Sequence, residues 1–205
     1  MSRYAKDSGG GDFKQAPAGN HIARCIKLTD LGHQRGEYQG EPTFRDQVLI
    51  TWELCNEKMD DGQPFIVSAF LTNSLNEKAK LRGWLESWRG RQFTEAECKK
   101  FDLMNVLGKP CMVTVIMSEK GKAKVAGIAS MPKGITAPEP VNTPSAFWLD
   151  EFDQEAFDAL SDGIKKIVEM SDEWKARTKG NGRGNVQDMP DDLPWQDEQR
   201  DDIPF

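Results

Sequence analysis

Few side chains in this 205-residue sequence are arranged to make or break bonds. Cys25, Cys55, Cys98 and Cys111 are far apart with no C-x-x-C pair, and His21 and His33 add no zinc-ligand spacing. They read as reduced, partly buried thiols, with no metal site and no cofactor. Metal-dependent nuclease chemistry needs carboxylates converging on a cleft. Asp60-Asp61 is the adjacent acidic pair before residue 134, and Gly62 after it makes it a turn. No P-loop or nucleophile motif appears. The expectation is a protein that binds and does not catalyse.

Two other groups of residues suit binding. The first is a set of cations interleaved with rings, the combination that holds phosphates and stacks unpaired bases, at about 1 to 3 kcal/mol per stacked base. The second is the stretch Asp201-Asp202-Ile203-Pro204-Phe205. There Phe205 can fill an apolar pocket, its carboxylate can pair with an Arg or Lys, and the aspartates steer toward a basic rim. Asp191-Asp192-Leu193-Pro194-Trp195 repeats the pattern as a weaker copy lacking the terminal carboxylate.

The elements that would position the first group read as strands, with helices inserted. Residues 21–31 alternate loosely as a first strand, and 32–43, with Gly36, Gly40 and Pro42, reads as a polar loop. A second strand runs from Phe44 to Leu54, with Val48, Ile50, Trp52 and Leu54 inward and Arg45, Gln47, Thr51 and Glu53 outward. A third covers Phe65 to Thr72. Ser74-Leu75-Asn76-Glu77 has capping-box spacing for a helix reaching Trp88, and Thr94 to Glu97 repeats it for a short helix ending near Leu103. Strands from Cys111 to Met117 and Ala123 to Met131 then form a hairpin around Gly121.

Three strands, a helical insertion and two strands predict a mainly β fold: a five-stranded barrel of OB type, whose sheet face and strand 1–2 and 4–5 loops commonly hold oligonucleotides. In that frame Lys27 and Arg45 lie on the outward parity, where they meet phosphates or remain solvated charge. Arg35, Tyr38 and Phe44 border the first loop, and Lys120, Lys122 and Lys124 stand at the hairpin tip. Phe70 sits between Ser68 and Thr72 opposite the core parity, where it stacks on a base or is buried under the insertion. Trp52, Trp84 and Trp88 fit the core, and Arg82, Arg89 and Arg91 extend the basic surface.

The rest reads as appendages. Residues 1–19 form a mobile arm, 20–134 the barrel, and 135–144 a Pro-rich linker. Residues 145–177 form an acidic helical segment, too small for its own core, that docks on the barrel or pairs with another subunit. Residues 178–205 form a disordered acidic tail. Net charge is −6, from 27 basic and 33 acidic residues. Seven acids and one base between Asn185 and Phe205 account for all of it. Residues 20–134 hold 17 basic against 14 acidic, and 145–177 hold 4 against 9. The chain is mildly basic first and acidic last. The opening residues lack a signal peptide's apolar stretch, and no run reaches the roughly 18 residues of a membrane span, so a cytoplasmic protein is expected.

The Asp201-Asp202-Ile203-Pro204-Phe205 tip resembles that of bacterial single-stranded-DNA-binding proteins. In that family such a tip docks polymerase subunits, helicases, nucleases and recombination mediators. The helical insertion and the acidic helical segment depart from the usual bacterial pattern. Together with Leu107-Gly108-Lys109-Pro110-Cys111-Met112-Val113-Thr114-Val115, they look more like the proteins of this type encoded by tailed bacteriophages. The resemblance implies binding and protection of single-stranded DNA during replication, recombination or repair, in the host bacterial cytoplasm, with Asp201 to Phe205 recruiting partners. An adaptor that captures host replication proteins through the tip without holding DNA is the alternative. A possible homo-oligomer is left open.

Overall fold

A computed structural model describes residues 14–38 and 41–179, with the side chains of Glu37, Tyr38 and Lys179 outside that description. The part of the expected arm before residue 14, the part of the expected tail beyond residue 179 and the tip therefore lie outside the described residues. Long strands dominate: β1 (Gly19–Tyr38), β2 (Glu41–Lys58) and β3 (Pro64–Thr72) precede helices α1 (Lys80–Arg89) and α2 (Glu95–Lys99). A 3₁₀ turn over Leu103–Val106 follows, then β4 (Pro110–Met117), β5 (Ala123–Ala129), β6 (Ser145–Phe147), α3 (Gln154–Asp158), α4 (Asp162–Glu169) and α5 (Asp172–Lys179). Among the described residues no helix is long and apolar enough to cross a membrane.

The strands form one open, mainly antiparallel sheet in the order β3-β2-β1-β4-β5, with β6 added to β1 in parallel. The end strands β3 and β5 approach each other, but no ladder joins them. β1 is the shared strand. It pairs with β2 along most of its length, with β4 through Gly19–Arg24 and with β6 through Lys27–Thr29. Register shifts between Cys25 and Lys27 and between Asp30 and Gly32 are bulges, which bend a strand and raise its twist. β2 runs along one edge of β1, and β4 followed by β6 along the other.

Period-two patterning sets the inner face. Val48, Ile50, Trp52, Leu54, Phe65, Val67, Ala69 and Leu71 are all buried in one core cluster, as their alternation predicts. Helix α1 closes it with Leu81, Leu85 and Trp88 at i, i+4 and i+7; Trp52 lies edge-on to Trp84 at 6.2 Å and tilted to Trp88 at 6.3 Å. Trp84 is only half-buried.

Three expected boundaries differ. The polar loop over 32–43 is instead a continuation of the β1–β2 ladder, pairing from Gly32–Gln47 out to Tyr38–Glu41. Helix α1 starts at Lys80, with Ala79 at its N-cap and no side-chain cap. The Ser74 hydroxyl accepts from Asn76 N and the Asn76 side chain from Lys78 N, and such local turns compete with helix initiation. The capping box at Thr94 does form: Thr94 Oγ1 accepts from Glu97 N while Glu97 accepts from Thr94 N. Helix α2 nevertheless ends at Lys99, and the 3₁₀ turn takes over at Leu103.

The outer face of β1 and β2 is covered by the chain's own later residues. Of the stretch read as a linker, 137–142 is pinned to the sheet. Arg24 donates to the carbonyls of Ala137, Pro138 and Gly108. The Glu53 carboxylate accepts from Val141 N, Asn142 N and Asn142 Nδ2 at 2.7–2.8 Å. Beyond it, Phe147, Leu149, Phe157, Leu160, Ile167 and Val168 form a second cluster with Leu31 and Leu49. The 145–177 segment thus docks on its own sheet, one of the two arrangements left open by the sequence. Polar clamps fix it: Asp30 accepts from Leu149 N, Glu173 from His33 N, and Gln34 Nε2 donates to Ile167 O at 2.8 Å. Residues 14–19, expected within the mobile arm, are also held: Ala16 is buried, Lys14 pairs with Asp60, and Gln15 accepts from Ala123 N.

Candidate nucleic-acid interface

The far end of the β1–β2 ladder carries four of the expected binding residues. Arg35 pairs across from Phe44 and Gln34 from Arg45, so Arg35 and Phe44 share one face while Arg45 lies on the other. Phe44 is 54% exposed, and its ring stacks on His33 at 5.9 Å with 9° between planes. His33 Nδ1 lies 2.9 Å from the Asp46 carboxylate, which holds the imidazole above its ordinary value. Arg35 is exposed and Arg45 half-buried. This face offers a pre-stacked aromatic surface beside a cation, the pairing that accepts a base and its phosphate. Tyr38 stands at the last ladder position, opposite Glu41.

Lys27 and Phe70 sit elsewhere. Lys27 pairs with Thr51 on one side and Ser145 of β6 on the other, half-buried. Phe70, opposite Leu49, is half-buried against the second apolar cluster, under the C-terminal segment and not under the helical insertion.

The lysine hairpin is well formed. Ser118 N and Lys122 O bond at 2.8 Å, Lys122 N reaches Ser118 Oγ at 3.0 Å, and Gly121 turns at φ 70°. Lys120 and Lys122 are exposed and Lys124 half-buried. Because Val115 pairs with Gly19, this tip projects past the start of β1, whereas Arg35 and Phe44 stand toward its other end. The structure does not bring the two expected groups together along that strand.

All four cysteines are free, with Cys25 and Cys111 buried. Burial pushes the Cys25 thiol up to about 12 and that of Cys111 higher still. Among the described residues no cluster of three or more His, Cys, Asp or Glu side chains could hold a metal. The Asp60-Asp61-Gly62 stretch is a turn, with Gly62 at φ 80°.

One feature escaped the motif reading. Beside α2 lies an open cleft of about 530 Å³, with Arg89, Arg91, Lys100, Phe101, Asn105 and Val106 among its lining residues. Of these residues, the sequence pattern marks only Arg89 and Arg91, as part of a basic surface. Lys100, Phe101 and Asn105 are not at a motif spacing and gather because α2 ends where the 3₁₀ turn begins. No family model and no curated protein sequence matches the chain.

Proposed function

We propose that this chain binds single-stranded DNA without strong sequence preference and recruits replication, recombination or repair proteins through Asp201 to Phe205. The observation that carries the reading is the strand order β3-β2-β1-β4-β5, with the end strands drawn together. A sheet whose ends approach without pairing is what a partly open five-stranded barrel of OB type needs, and such barrels bind oligonucleotides. The stacked, exposed Phe44 beside Arg35 and the projecting lysine hairpin supply rings and cations. The acidic sequence beyond residue 179 supplies the partner-binding element by its likeness to bacterial tips.

A fluorescent oligo-dT strand and a matching duplex, each titrated at two salt concentrations, test this. Tight binding to the single strand alone, weakening steeply with salt as counterions are released, is the expected result. The adaptor reading draws support from the covered outer face, which takes Phe70 out of full exposure. Absence of binding to either DNA would select it.

A further inference from the structure

Charge within the strand-bearing part of the chain is unevenly placed. Residues 20–77 hold 5 basic and 9 acidic side chains, 78–109 hold 8 and 4, and 110–134 hold 4 and 1. The positive surface therefore belongs to the helical insertion and the β4–β5 hairpin, not to the first three strands.

The cleft is the place on that insertion where cations, a ring and an amide converge. Both of its acids are already committed. Glu97 accepts from Arg91 Nη1 and Nη2 at 3.0 and 2.6 Å, from Arg89 Nη2, and from Thr94 N and Oγ1, an environment that holds its carboxyl well below the usual range. Asp102 caps the 3₁₀ turn by accepting from Met104 N at 2.8 Å. Arg89 lies 4.4 Å over Phe93 and 5.2 Å over Phe101, and its Nη1 is buried with no hydrogen-bond acceptor among the described residues. Lys100 is exposed, and no ion pair holds it among the described residues. Three cations, Arg89, Arg91 and Lys100, thus face two carboxylates, Glu97 and Asp102, so the cleft retains positive charge beside the Phe101 ring.

The cleft also lies at the end of a track. Strand β5 leaves the lysine hairpin and runs to Ala129, and the next residue, Ser130, donates its N–H to Ser87 O at 3.0 Å. Ser87 is two residues before Arg89. β5 thus connects the lysine hairpin to the end of α1 that carries Arg89.

Resting on the single-strand reading above, we infer that this cleft is a nucleotide subsite. Arg91 and Lys100 hold a backbone phosphate, Phe101 stacks on the base, and the Asn105 amide reaches the base edge. Its volume falls within the range of about 300–1,000 Å³ common for small-molecule sites. An acidic peptide satisfies the cations but leaves the ring and the amide without a role.

The test uses the full chain with oligo-dT across a salt series, comparing wild type, Lys100→Ala and Arg91→Ala/Lys100→Ala. A 4-thio-dT strand is photo-crosslinked in parallel. Expected are affinities about tenfold weaker for the double variant, a log–log salt slope shallower by about 0.7 for each cation removed, and a wild-type crosslink in the 99–106 stretch. Lys100→Ala is the control for folding, since no ion pair described here is lost with it. Wild-type binding with unchanged variant affinity and slope, and no crosslink in that stretch, overturns the subsite while leaving the single-strand reading intact. Tighter DNA binding by the variants also overturns it, because the cleft would then hold the acidic tail. No wild-type binding to the strand removes the parent reading itself.

Discussion

Glu53 and Glu97 show what single residues contribute and how differently the sequence displays it. The alternation of β2 made Val48, Ile50, Trp52 and Leu54 legible as core and assigned Glu53 to solvent. Glu53 is 1% exposed, because three N–H donors from Val141 and Asn142 come down onto it. Nothing near Glu53 in the chain announces that partnership, so period-two patterning could not find it. Glu97, by contrast, was placed by its spacing from Thr94, and the capping box is there. Its ties to Arg91, Thr94 and Arg89 hold its carboxyl well below the usual range. A carboxyl that gives up its proton more readily when folded contributes stability above its ordinary value of 4.5, and that contribution is lost as pH falls from there toward the folded value. The wild-type melting temperature should therefore drop more steeply between about pH 5 and pH 3 than that of Glu97→Gln, read by circular dichroism. Parallel curves would show that the cluster does not couple to folding.

At the scale of elements, the docking of the C-terminal segment on the sheet turns on Gly32. It adopts φ 72°, and a Cβ there would lie 2.5 Å from Glu173 Oε2 and 2.7 Å from both Leu149 Cδ1 and Ser171 Cβ. Gly32→Ala combines left-handed strain with displacement of the carboxylate that accepts from His33 N. It should destabilise the protein by about 2 kcal/mol or more in urea unfolding. New protease cleavage should concentrate within residues 145–179. Cleavage spread evenly along the chain would contradict the role given to this contact. The sequence placed strands two to five and the inner face well, because alternation and turn residues are local signals. It misjudged the 32–43 stretch because Gly36, Gly40 and Pro42 read as a loop, while cross-strand pairing from Gly32 to Tyr38 outweighs that preference. The start of α1 was misjudged for a similar reason, since serine turns and capping boxes share their opening residue type. The lysine hairpin was legible as a unit, but the cleft was not, since its residues come from the end of α1, the end of α2 and the 3₁₀ turn.

Charge is separated along the chain: residues 20–77 hold 5 basic against 9 acidic side chains, 78–134 hold 12 against 5, and 135–205 hold 7 against 17. If residues 180–205 compete with DNA for the basic middle, a chain ending at residue 179 should bind oligo-dT several-fold more tightly at low salt, with the gain vanishing as salt screens both partners. Equal affinity for the two chains at low salt would remove that competition. A different consequence follows from β1. Its first residues pair with β4 and its middle with β6, so its ladders close only after residues 110–115 and 145–147 have been made. Sequence-distant pairing of this kind slows folding. During synthesis, the growing polypeptide holds β1 with one edge unsatisfied until most of the chain has left the ribosome. That is a window in which unpaired strand edges invite aggregation, and in which the order of translation, more than the stability of any single strand, decides when the sheet can be completed.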